Sequence, residues 1–289
     1  MKTKTKILIA KLVHIILIKI LKFDQIKVIR RNSINWYLDL TEGLDLQIFL
    51  LGSFQRKIVN SIIKIIFHYN KKNANFNIID IGSHAGEMSL LSAKNLLNKK
   101  YRNFKIFSIE PTLYAFNKQK RNLNLNLNLK KKISLFNYFI TDKKQKPKKI
   151  YSSWKLDRGL PEHKKLCAFL KKTSKVSKPI SLDYFVKKHK IKGTTIIKID
   201  VDGHELNVLK SGKELVRKKE PIIIMEYAPY LLKEHGFSIK DLYSFIKKYE
   251  YQIFSLNFKK LNKIEIADGS STDIILLKKE SLAYNFITQ

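Results

Sequence analysis

The sequence predicts an α/β fold, a mostly parallel sheet with helices on both faces. Three observations carry this. Seven short apolar runs recur along the chain. Segments with helical spacing lie between the first six, the pattern of a covered parallel sheet. The last two runs have no helix between them, only a 16-residue connection containing Asp268-Gly269, which predicts a terminal antiparallel hairpin at the sheet edge.

The elements follow in order. Residues 1–70 form an N-terminal helical, basic extension, and 71–280 the main domain. The stretch "ILIAKLVHIILIKIL" (7–21) is interrupted by Lys11, His14 and Lys19. It is shorter than the ~20 apolar residues a bilayer span needs. No small-residue cleavage site follows it, so a secretory signal is not expected. Lys11, His14 and Lys22 fall together on a helical wheel, which makes a basic amphipathic helix. Two readings fit: it lies on a membrane surface, or it packs on the main domain. The strand candidates are 76–81, 104–110, 133–140, 194–200, 221–227, 251–256 and 273–279. The helical segments are 86–99, 112–123, 182–190, 204–218 and 238–248. "RNLNLNLNL" (121–129) alternates like a strand, but asparagine disfavours strand interiors. It is read as the end of a helix from about Thr112 that frays into a loop. Residues 141–180, lysine-rich with Pro147, Pro161 and Pro179, form a basic insert, read either as a lid or as a disordered loop.

The chain has 289 residues, 44 % hydrophobic and 28 % charged, enough for a packed core. One cysteine, Cys167, excludes an internal disulfide framework and fits a reducing, cytoplasmic compartment. Net charge is +33, which suits a polyanionic partner such as nucleic acid or an anionic membrane. Only seven of the 57 basic residues are arginine, and the chain is rich in Ile and Asn. Compositional drift explains that pattern better than dedicated phosphate reading, which leans on arginine.

The chemistry gathers at strand ends, where ligands of parallel sheets bind. Asp80-x-Gly82-x-x-x-Gly86 is a strand-to-helix turn without the glycine pattern of dinucleotide sites. An acid there repels pyrophosphate and suits a cationic, hydroxyl-bearing ligand such as S-adenosylmethionine. Glu110 ends the second strand 30 residues later, where an acid accepts hydrogen bonds from both ribose hydroxyls. Asp202 and Glu205 fit a capping box for the helix that follows, with His204 exposed at its first turn. Asp200 has no such structural explanation and ends the fourth strand. Lys198 shares its face and needs a partner there. Glu226 ends the fifth strand on the same edge, near Ser83 and His84. A carboxylate or His84 is a candidate to deprotonate an acceptor hydroxyl. A metal at Asp200 and Asp202 lacks a third ligand, and none is expected.

These residues carry a resemblance. "IIDIGSHAGEMSLLSA", "FSIEPTLYAFNKQKRNLNLN", "ISLDYF" and "IIKIDVDGHELNVLKSG…PIIIMEY" are similar to successive blocks of FkbM-type methyltransferases, over about residues 76–227. "WYLDLTEGLDLQIFLLGSFQ" (36–55) resembles the segment that often precedes that domain. The resemblance implies a Rossmann-like class I methyltransferase fold with a seven-stranded sheet. It implies S-adenosylmethionine-dependent O-methylation of a sugar, surface glycan or secondary metabolite. Asp80, Gly82, His84, Gly86 and Glu110 fall on its cofactor positions. Lys198, Asp200, Asp202 and Glu205 fall on its second signature. The chain departs at His84, commonly Asn in the family, at Asp202, commonly Glu, and at His204, commonly small or aromatic. His84 thereby introduces a group that ordinarily titrates near neutrality. Other readings remain: an RNA ribose 2′-O-methyltransferase, or a non-catalytic protein held peripherally at the inner membrane surface through residues 7–22. No N/D-P-P-Y/F block or paired catalytic cysteines point to base methylation.

Overall fold

The computed structural model describes residues 3–68, 74–142, 156, 177–281 and 283–285. Most of the 141–180 insert lies outside the described residues.

The chain opens with α1 (Thr3–Ile15), which passes into a π-helical turn at Ile16–Ile20. A hairpin follows, β1 (Ile26–Arg31) and β2 (Ile34–Asp39), then α2 (Gly43–Leu51) and α3 (Arg56–His68). The hairpin adds strands to a segment expected to be helical. Its two-residue turn, Asn32-Ser33, has φ of 50° and 57°, the left-handed pair that matches strand twist. Ile34, Trp36 and Leu38 alternate inward and are fully buried.

The outer edge of β2 is held by side chains. Helix α5 (Leu113–Asn124) presents Asn122, whose Oδ1 accepts from Tyr37 N at 2.7 Å. Asn126, one turn on, accepts from Asn35 N at 2.9 Å and donates to Asn35 O at 2.7 Å. The asparagines that spoil "RNLNLNLNL" as a strand therefore dock the hairpin, and the helix frays after Asn124 as expected.

The main sheet holds β3 (Phe76–Ile81), β4 (Phe104–Ile109), β5 (Ile133–Phe136), β8 (Thr194–Ile199), β9 (Ile222–Tyr227), β10 (Tyr251–Ser255), β11 (Lys260–Leu261) and β12 (Thr272–Lys278). Their order is β11-β10-β12-β9-β8-β3-β4-β5. The five strands from β9 to β5 run parallel. The terminal hairpin forms, but β12 inserts between β9 and β10, antiparallel to both. The seven expected strands are present, and β11, two residues long, makes an eighth. The run 133–140 splits at Asn137, and β6 (Phe139–Ile140) pairs separately with β7 (Pro179–Ile180).

The strands sort alternate residues to opposite faces. Ile78, Ile106, Ile196 and Ile224 pack with Ile62 and Ile66 of α3 and Leu90 of α4 (Glu87–Asn98). Ile79, Phe107, Ile197 and Ile223 pack with Phe185 of α6 (Leu182–Lys188) and Leu206 of α7 (Glu205–Ser211). The expected helix 204–218 is two, α7 and α8 (Lys213–Lys219). Gly212 joins them, and a Cβ there would stand 2.8 Å from Leu182 Cδ2. A short α9 (Pro229–Glu234) follows β9, and α10 (Ile239–Lys248) precedes β10.

Candidate active site

The carboxyl ends of β3, β4, β8 and β9 open onto a cavity of about 910 Å³. The turn after β3 forms its floor. Gly82 (φ 77°), His84 (φ 46°) and Gly86 (φ 84°) are all left-handed. Gly82 has a second constraint: a Cβ would stand 1.9 Å from the carbonyl oxygen of Asp200. The Gly82 and Ser83 amides donate to Ile109 O at 3.0 and 3.1 Å, which ties this turn to β4.

Lys198 is the pillar beneath the floor. It is buried, with Nζ 3.2 Å from Asp200 Oδ2 and 3.5 Å from Asp80 Oδ1, and it donates to Gly82 O at 3.1 Å. Burial alone would lower its pKa, but the Asp200 and Asp80 carboxylates outweigh burial and raise it. Asp80, expected to face the ligand, is instead fully buried against Lys198 and Ser89, whose Oγ donates to Oδ2 at 2.7 Å. Asp80, Lys198 and Gly86 do not line the cavity; Gly82, Ser83, His84, Glu110, Asp200 and Glu226 do. Lys198 thus holds Asp200 from behind the cavity wall.

Glu110 is largely committed. Oε1 accepts from Thr112 N and Oγ1 at 2.8 and 2.6 Å, and Oε2 from His84 N at 2.9 Å. A carboxylate has about four acceptor positions, so one remains, on Oε2. His84 does not titrate near neutrality. Burial first, then the Lys118 charge, lowers it to about 4.

Asp200 is open to the cavity, with a third of its side chain exposed. Glu226 lies across from it on β9, and burial together with the Asp200 charge raises its pKa well above the usual range. Of the two, Glu226 favours the protonated form, and Asp200 is the ion-paired carboxylate. Asp202 and Glu205 do not form the expected capping box. Asp202 sits in a left-handed turn (φ 49°), and α7 starts at Glu205. Glu205 Oε1 instead accepts from Val201 N and Gly203 N at 3.2 and 3.1 Å, which holds the turn that carries Asp202. His204, expected to be exposed, lines the cavity and packs against His235, with ring centroids 3.9 Å apart and planes tilted by 44°.

Several residues had escaped sequence reasoning. Gln55 Nε2 donates to Asp200 Oδ2 at 3.1 Å across 145 positions of sequence. Glu87 fixes that loop by accepting from Ser53 Oγ, Phe54 N and Gln55 N. Below His84, Lys118 joins Glu42 and Asp45 at 2.5 and 2.8 Å, all three buried. An acid at the first turn of a helix is a visible signal for Glu87; Glu42, Asp45 and Gln55 fall within the 36–55 block and Lys118 within "FSIEPTLYAFNKQKRNLNLN", but no local pattern pairs them. Helix α9 adds Tyr230, Leu231 and Glu234 to the wall, and Leu156 of the insert also lines it.

The lining is electrostatically one-sided. Glu87, Glu110, Asp200, Asp202, Glu226, Glu234 and Asp273 contribute carboxyls, and no lysine or arginine lines the cavity among the described residues. No three His, Cys, Asp or Glu side chains converge as a metal site among the described residues.

The chain aligns with solved methyltransferase structures at low identity. An FkbM methyltransferase from Methylobacillus flagellatus KT is 18 % identical, with 70 % of this chain and 43 % of that one covered and a TM-score of 0.42. This chain therefore spans less than half the length of that protein. An O-methyltransferase from Bacillus cereus, solved with SAH, is 12 % identical over 78 % and 80 % of the chains, TM-score 0.40. A precorrin-6y C5,15-methyltransferase from Geobacter metallireducens GS-15 is 11 % identical over 76 % and 87 %, TM-score 0.39. No curated protein matches the sequence. The methyltransferase FkbM domain model matches residues 80–253, from the floor turn through α9 to the first strand of the terminal hairpin. That span is more than half the chain and contains the carboxyl ends of β3, β4, β8 and β9: the chain belongs to the FkbM family of S-adenosylmethionine-dependent methyltransferases.

Proposed function

We propose that the protein methylates a hydroxyl of a sugar, surface glycan or secondary metabolite that carries no negative charge near the reacting group. The acid-lined cavity, in a chain of net charge +33, carries this reading. Carboxylates favour a cation and disfavour phosphate. The residues suit S-adenosylmethionine, which when bound supplies an electrophilic methyl group on a cationic sulfonium. Glu110 Oε2 has room for one hydroxyl, and the Gly82 turn lets backbone approach closely. Asp200, held by Lys198 and Gln55, accepts the acceptor proton in this reading, and Glu226 retains its own. Among the described residues the lining offers phosphate no lysine or arginine, which disfavours the RNA reading. The single cysteine and an intracellular cofactor fit the cytoplasm.

The test is Asp200→Asn. With an acceptor identified by mass spectrometry of glycans and metabolites from a deletion strain, kcat is expected to fall by about 10²- to 10⁴-fold. Calorimetric affinity for S-adenosylmethionine should stay within about threefold, since the lost group serves proton transfer. An unchanged kcat would remove Asp200 from that role, and a natural chain that binds no S-adenosylmethionine would defeat the whole reading.

A further inference from the structure

Helix α1 is apolar on both sides. Its inward face packs Ala10 and Val13 on the core, with Leu17 just beyond, and buries His14, whose Nδ1 lies 3.0 Å from Leu40 O. Leu8, Ile9, Leu12, Ile15 and Ile16 share the outward face and are each 45–55 % exposed. Ile20 and Leu21 extend it beyond the helix, and Leu50 and Leu51 stand exposed at the end of α2, which packs on α1. A contiguous apolar patch of this kind marks a contact surface.

Two further observations identify the occupant. Of residues 1–38, nine are lysine or arginine and one, Asp24, is acidic. Lys19 and Lys22, both exposed, flank the patch. Two copies of this chain meeting face to face would juxtapose like charges, whereas an anionic surface complements them. The patch is also continuous with the cavity mouth: Ile9, Leu50 and Leu51 are exposed and line the cavity, and Ile7, Ala10 and Val13 continue its wall inward.

We propose that the outward face of α1 seats the protein on an anionic lipid surface, with the cavity mouth opening at that surface. No described helix is long and apolar enough to cross a membrane, so the contact is interfacial. The proposal rests on the methyl-transfer reading only for its consequence, that an acceptor with an apolar tail enters from the lipid side.

Flotation of the full chain with vesicles tests it. The protein should float with phosphatidylcholine vesicles containing phosphatidylglycerol. The double substitution Leu12→Ser and Ile16→Ser keeps net charge and avoids the cavity lining. It should lower partitioning by about tenfold or more and leave calorimetric binding of S-adenosylmethionine unchanged. A fluorophore sensitive to polarity, attached at Leu51→Cys in a Cys167→Ser background, should shift to shorter wavelength on the same vesicles. Absence of flotation overturns the proposal. So does flotation indifferent to the double substitution, which would be charge alone, or a dimer of the natural chain that the double substitution breaks. Flotation without S-adenosylmethionine binding would support the membrane seat and defeat the methyl-transfer reading, so the two failures are distinct.

Discussion

Gly82 shows how narrowly one position can be set. Its φ of 77° and the 1.9 Å approach of Asp200 O to any Cβ act together. The obstructing atom is backbone of the neighbouring strand end, which Lys198 already holds from below. Gly82→Ala must therefore separate β3 from β8 at the cavity floor. The expected outcome is loss of measurable S-adenosylmethionine binding by calorimetry and at least about 2 kcal/mol of stability in urea unfolding. Lys198 makes the complementary point. A lysine in a central strand demands carboxylate partners, so Asp200 and Asp80 were foreseeable neighbours. Which carboxylate faces the ligand was not foreseeable, because strand periodicity gives a face of the sheet and not a depth.

Among the elements, α5 has the largest burden. Asn122 and Asn126 hold the β-hairpin, and Lys118 crosslinks the helix to α2 through Glu42 and Asp45. The ammonium is charged despite burial because Asp45 and Glu42 raise its pKa. Removing it leaves two buried acids facing each other without a cation. Lys118→Met should cost about 3–5 kcal/mol of unfolding free energy. Asp45→Asn introduced with it should recover part of that loss, which a double-mutant cycle in urea would measure. The helix itself was legible from its spacing. Its partners were not, since Glu42 lies 76 residues away and belongs to a segment that reads as a separate extension.

For the whole molecule, charge is segregated: a strongly basic chain encloses an acidic cavity. A buried acid beneath the turn that carries Asp202 adds a stability signature. Burial raises the Glu205 carboxyl from its ordinary 4.5 to about 7. Between those values the folded state binds the proton more tightly than the unfolded state. The group's contribution is thus complete below pH 4.5 and is lost as pH rises through 7. Glu205→Gln keeps an acceptor for Val201 N and Gly203 N and has nothing to ionise. Relative to the natural chain, its unfolding free energy should match at pH 4.5 and rise by as much as about 3 kcal/mol by pH 8. Denaturant titrations of both proteins across that range check this.

By itself the sequence determined the sheet, its seven main strands, the parallel order implied by intervening helices, and the acids at the strand ends. These follow from local regularities: apolar alternation, helical spacing, and glycine where a turn needs left-handed backbone. Tertiary structure alone decided that β12 slots between β9 and β10 and that Asp80 is sealed behind the floor while Asp200 is open. It also brought Gln55 to Asp200 and buried His14 of α1 against Leu40. Each of these depends on contacts between residues far apart in the chain, and depth within a fold has no period that a sequence could display.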